Sequence, residues 1–172
     1  MQTTLRSETL SFNNYRTWLL ASLFIAGNII MPQLFHTVRL GGPTWLPIYF
    51  FTLVGAWIGG WRTGLLTALA SPVINSLVFG MPAVAMLPTI TLKSSLLAGA
   101  AAYAGRHQMK ATLATVALVI LSYQLPGTLG EWALTGSADM ALGDLTIGLP
   151  GLLLQLFGAT AVINFIIDKT NA

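Results

Sequence analysis

"PTITLKSSLLAGAAAYAGR", residues 88–106, is apolar enough over its second half to sit in lipid, yet carries Lys93 in its first half. A full positive charge inside an apolar run needs a reason, because intramembrane charges are costly and usually mark a site. The chain as a whole reads as membrane protein. It is 55% hydrophobic and only 8% charged, with a mean hydropathy of +0.74. A soluble domain carries about 25% charged residues, so these few could not clothe a water-facing surface. Its 172 residues make a single integral membrane domain, 1–172, with a polar N-terminal segment over 1–15. That segment lacks the apolar core and small-residue cleavage site of a secretory signal peptide.

A membrane helix needs about 20 largely apolar residues. With that length as a guide, six spans are expected: 16–35, 43–60, 62–79, 83 or 87 to 105, 110–130 and 145–167. Gly, Pro and charge clusters separate them: "GGP" at 41–43, "GGWR" at 59–62, "GMP" at 80–82 and "GRHQMK" at 105–110. The fold class is therefore an all-α membrane bundle of six helices. Cationic loops stay in the cytoplasm. With the N-terminus inside, Arg6, Arg16, Arg62, Arg106, Lys110 and Lys169 fall on the cytoplasmic side, and Arg39 falls outside. Glu131, Asp139 and Asp144 map outside, between the last two spans. Both termini are expected in the cytoplasm. The basic pI then reports topology and calls for no nucleic acid.

On this frame Lys93 lies about 9 Å along the fourth helix, in the outer third of the membrane. Snorkelling to the interface would explain a lone lysine. Lys93 has company, however. Thr89 lies one turn before it on the same face. Asn75 and Gln124 fall at similar depth on the third and fifth helices. An interhelical hydrogen bond is the common fate of any one such residue; together they point to a polar pocket open to the outside. Gln155 and Asn28 sit deeper and would form its floor, and Asn164, near the inner end, reads as structural. Trp45 and Trp132 fall near the outer interface, as belt residues or as a cover to the pocket.

Small residues recur four apart, as in Ser94, Ala98 and Ala102, in Gly55, Gly59 and Gly64, and in Ser22 and Ala26. Such stripes let helices approach closely. No catalytic motif, phosphate-binding loop or cysteine is present, and His36 and His107 fall on opposite sides of the bilayer. No enzyme activity, metal or cofactor is expected. With every Asp and Glu placed outside the spans, the chain looks able to hold a solute and unable to drive it.

The stretch 41–93, "GGPTWLPIYFFTLVGAWIGGWRTGLLTALASPVINSLVFGMPAVAMLPTITLK", resembles the substrate-binding S components of energy-coupling factor (ECF) vitamin transporters. The shared features are Gly41, Gly42, Pro43, Leu46 and Pro47 at the second helix; Gly55, Gly59 and Gly64 around the next turn; Ser71 and Pro72; Gly80, Met81 and Pro82; and Leu87 and Pro88. The resemblance implies a six-helix subunit of a bacterial or archaeal cytoplasmic membrane that captures a small vitamin-like nutrient from outside. It implies a lid over 33–42, a site at the outer ends of the later helices, and docking through Ser22 and Ala26. The partners it implies are a membrane coupling subunit and two ATPases. Relatives commonly carry a glutamate five residues after the proline that here is Pro88; this chain has Lys93. A lysine suits an anion, so an anionic ligand is expected. A stand-alone carrier of the same fold and a non-transport structural protein are the alternatives.

Overall fold

The computed structural model describes residues 11–35 and 41–171. Arg6, His36, Arg39 and part of the expected lid lie outside the described residues. Among those described, all regular structure is helical. Helix α1 spans Tyr15–Phe35, α2 is the short Gly41–Trp45, and α3 runs Pro47–Phe79. A 3₁₀ turn at Val84–Met86 leads into α4, Leu87–Arg106, followed by α5, Leu113–Thr135. Two single turns, α6 (Ala138–Ala141) and α7 (Gly143–Thr146), precede α8 at Leu149–Leu153. A π-helical stretch, Leu154–Ala159, joins α8 to α9, Thr160–Asn171.

Four stretches are long and apolar enough to cross a membrane: Tyr15–Phe35, Val84–Arg106, Leu113–Thr135 and Leu149–Thr170. They indicate an integral α-helical membrane protein. The distribution of side chains agrees. Leu19, Leu23, Leu118, Leu125 and Phe165 are more than half exposed, while Asn28, Asn75, Lys93, Gln124 and Gln155 are buried. Apolar residues outside and polar residues inside is the reverse of a water-soluble bundle, and it suits lipid as solvent.

Helix α3 is a hairpin. Gly60 sits at φ 79°, ψ −178°, a conformation essentially reserved for glycine. The chain reverses there. The two halves then pack so closely that a Cβ on Gly64 would lie 2.4 Å from that of Ala56. Asn28 confirms the reversal by donating to both Thr52, at 2.9 Å, and Ser71, at 3.3 Å. A straight helix would hold those two hydroxyls about 28 Å apart. The N-terminal residues close the turn from below: Phe12 meets Trp61 edge-on at 5.7 Å, and the Arg62 guanidinium lies over both rings.

Glycines set the other helix contacts. Phe24 of α1 covers Gly55, and Phe51 of α3 covers Gly27. A Cβ on Gly105 of α4 would lie 2.0 Å from the Trp57 carbonyl oxygen. The stripe Ser94, Ala98 and Ala102 is buried, so it serves internal packing.

Several boundaries differ from the sequence expectation, each for a local reason. The second helix does not start cleanly at residue 43. Leu46 breaks it with a left-handed φ of 46° before Pro47 opens α3. Helix α5 starts at 113 because Thr112 and Thr115 form a capping box. It also passes through Gly130 and stops only at Gly136, whose φ of 68° supplies the left-handed cap. Gly130 is a packing glycine: a Cβ there would meet Leu92 at 2.5 Å. The expected sixth helix begins at Leu149, where Pro150 favours a first turn.

Candidate functional site

The extension of α5 places Glu131 inside a helix and not in an outer loop. Gln124, Gly127 and Glu131 follow one another at helical spacing and share a face. Lys93 of α4 lies against that face. A Cβ on Gly127 would come within 2.7 Å of the Lys93 Cγ, so the glycine gives the lysine stem its passage. The ammonium ends between two carboxylates. It pairs with Glu131 Oε2 in close contact, and its Nζ donates to Asp144 Oδ2 at 2.8 Å. Asp144 comes from α7. Gln124 Nε2 donates to the same Asp144 oxygen at 3.3 Å. Lys93 is 2% exposed and Glu131 7%. The lysine therefore does not snorkel, and the expectation that every Asp and Glu lies outside the spans is corrected at Glu131, within Leu113–Thr135, and at Asp168, near the end of Leu149–Thr170.

This cluster forms one side of a cavity of about 460 Å³. Thr89, Lys93, Asn75, Glu131 and Asp144 are among its lining residues. The rest of the wall is largely apolar, with Pro32 from α1, Leu46 and Tyr49 beside α2 and on α3, Ile90 from α4, and Met140 and Ile147 on either side of α7. Leu46 keeps its left-handed backbone under close packing from below. A Cβ on Gly151 would fall 2.4 Å from the Trp45 carbonyl carbon and 2.9 Å from the Leu46 Cβ.

Asn75 belongs to the cavity wall and also to a hydrogen-bond network. Pro32 lacks an N–H, so the Asn28 carbonyl one turn earlier loses its helical partner. Asn75 Nδ2 takes that place at 3.0 Å and also donates to the Ser71 carbonyl at 3.0 Å. Its Oδ1 accepts from Gln33 Nε2 at 3.3 Å. Asn28 Oδ1 in turn accepts from the Phe51 backbone N–H at 3.1 Å. Thr89 donates to the Met86 carbonyl at 2.9 Å.

The remaining expected site residues lie apart from the cavity wall. Gln155, in the π-helical stretch, is fully buried and accepts from the Tyr123 hydroxyl at 3.0 Å, while its Nε2 has no hydrogen-bond partner. Gln124 reaches the cluster through Asp144, and its Oε1 likewise has none. Trp45 is half-buried and stacks on Phe35, with ring centres 5.1 Å apart. Trp132 is exposed. Ser22 and Ala26 are both exposed on α1. Asn164 donates to the Ala111 carbonyl at 2.8 Å, a structural tie.

Glu131 and Asp144 are the residues that sequence reasoning missed. The signal for Glu131 was present: it stands seven residues after Gln124, on the same helical face, once α5 is continued beyond Gly130. Asp144 lies in a segment of short turns with no period to read.

The cluster has no nucleophile–base pair and, among the described residues, no group of metal ligands. What it can do is hold a polar group against the buried charges while apolar walls enclose the rest of a small molecule. No protein-family model matches the chain, and no curated protein or solved structure is detectably similar to it.

Proposed function

We propose that this chain is the substrate-capture subunit of an ATP-driven importer of the ECF type, binding a small vitamin-like nutrient from outside the cytoplasmic membrane. One observation carries the reading: a buried lysine faces a partly open cavity of drug-molecule size, and not lipid. Small-molecule sites are typically concave, mostly apolar and furnished with a few placed polar groups. In this reading the two halves of α3 count as separate spans, giving six, with both termini in the cytoplasm. The cavity then opens outward, bordered by the α6–α7 turns. Ser22 and Ala26, on the outward face of α1, meet the membrane coupling subunit, and two ATPases supply the energy. The chain itself is not an enzyme.

An unopposed Lys93 argued for an anionic nutrient. With two carboxylates already on the ammonium, an anion would first have to displace one of them.

The test is direct. Protein purified from cells grown in rich medium is extracted, and released small molecules are identified by mass spectrometry. The same protein in liposomes binds the identified molecule without sustained uptake. Absence of any retained molecule, together with no binding, would remove the reading.

A second reading, a stand-alone carrier of the same fold, is favoured by Glu131. A buried carboxylate inside a span is what ion-coupled carriers use. Sustained uptake by the isolated chain, driven by an ion gradient and lost in Glu131→Gln, would select it over the first.

A further inference from the structure

We propose that the cavity selects a small amphiphilic organic cation: a protonated amine or amidinium-like head on a compact apolar body. The proposal rests on the capture reading and adds the charge of what is captured.

The charges of the cluster do not balance. Lys93 is the only cation among the described residues that line the cavity, and it faces both Glu131 and Asp144. One negative charge is left over at a site where burial makes it expensive. The unused hydrogen-bonding capacity has the same sense. Lys93 engages Glu131 Oε2 and Asp144 Oδ2, and Gln124 also donates to Asp144 Oδ2. Glu131 Oε1 and Asp144 Oδ1 carry no hydrogen bond among the described residues, and Gln124 Oε1 is buried without a partner. Two carboxylate oxygens, on Glu131 and Asp144, and a surplus carboxylate charge therefore meet at the cavity wall where one lysine supplies the donors. A ligand head that donates hydrogen bonds and bears positive charge fills both deficits. A carboxylate or phosphate fills neither and would sit beside two like charges. Pro32, Leu46, Met81, Ile90 and Ile147 add apolar surface to the wall, which suits a hydrocarbon or aromatic body.

The test uses three probes with one phenylethyl body and three heads: 2-phenylethylamine, 2-phenylethanol and 3-phenylpropanoate. Binding to the purified full chain in nanodiscs is followed by ligand-observed NMR. The amine is expected to bind at least tenfold more tightly than the carboxylate, with the alcohol between them. Glu131→Gln and Asp144→Asn, each checked for folding by its melting profile, should each narrow that preference at least several-fold. The wild-type order alone decides the matter if either variant fails to fold. A carboxylate preference, or an amine preference indifferent to both substitutions, overturns the proposal while leaving the capture reading intact. Binding of none of the three probes also overturns it. If, in addition, no molecule is extracted from the purified protein, the capture reading falls with it.

Discussion

At the scale of the residue, the molecule turns on an ammonium held by two carboxylates. Taking one partner from a buried ion pair costs about 3–5 kcal/mol, because the other is left charged and dry. Lys93→Ala should therefore destabilise strongly, leaving Glu131 and Asp144 to repel each other beside Gln124. Lys93→Met combined with Glu131→Gln should recover much of that loss, since the double variant retains bulk and removes one of the stranded charges. Thermal unfolding of Lys93→Met, Glu131→Gln and the double variant checks this as a cycle, and a coupling energy of at least 1 kcal/mol is expected for groups in direct contact. Additive losses would mean that Lys93 and Glu131 do not act as a pair. Asn75 makes a milder prediction. Its side chain repairs the carbonyl that Pro32 leaves open and binds Ser71 as well. Hydrogen bonds between membrane helices are worth about 0.6 kcal/mol on average, so Asn75→Ala should lower the melting temperature by a few degrees at most. Because Asn75 also lines the cavity, the same variant should weaken binding of the captured solute more than its stability loss explains.

At the scale of the element, glycines decide where helices end, turn or touch, and they do so in ways that sequence does not distinguish. Gly60, Gly130 and Gly136 look alike on paper. In the structure Gly60 turns α3 back on itself, Gly130 receives Leu92 in mid-helix, and Gly136 caps α5. Gly60→Ala should cost about 1–3 kcal/mol, the price of a side chain in a region open only to glycine. Gly99→Ala is the control. Gly99 is exposed in the interior of α4 with open space where a Cβ would go, so the substitution should be neutral or stabilising by about 0.5–1 kcal/mol. Equal losses at the two positions would deny the hairpin its special turn. The contrast explains what was legible beforehand. Hydropathy and length located the apolar segments, and the buried positions of Lys93, Thr89, Asn75 and Gln124 followed from polar residues lodged within them. The far end of α5 was not legible, because an interior glycine read as a stop, and Glu131 was misplaced with it. Asp144 depended on the packing of two single-turn helices, which leaves no periodic trace in the chain. The charge partners of Lys93 were not legible for that reason.

At the scale of the whole molecule, the arrangement in the membrane rests on where the α3 hairpin turns. Four stretches qualify as spans by length and composition, and α3 is not among them. If only those four cross, the chain from the end of α1 to the start of α4 stays on one side, and the Gly60 turn lies opposite the N-terminus. If both halves of α3 also cross, the turn lies on the same side as the N-terminus. The second is the proposed arrangement, and it takes its support from the contacts at this turn. Phe12, just ahead of α1, packs on Trp61, and the Trp18 indole donates to the Phe12 carbonyl at 2.8 Å. A helix cannot cross the bilayer between residues 15 and 35 and leave its first turn beside a loop on the far side. The chain contains no cysteine, so single cysteines can be placed without a background to remove. Trp61→Cys, Lys110→Cys and Lys169→Cys should react with a membrane-impermeant maleimide only after cells are opened, and Met81→Cys and Asp139→Cys should react in intact cells. Labelling at residue 61 from outside, with Lys110→Cys still protected, would reduce the bundle to four crossings and put the turn of α3 outside. Labelling at Asp139→Cys only after lysis would place Glu131, Asp144 and the cavity toward the cytoplasm, where a subunit that captures solute from outside has no use for them.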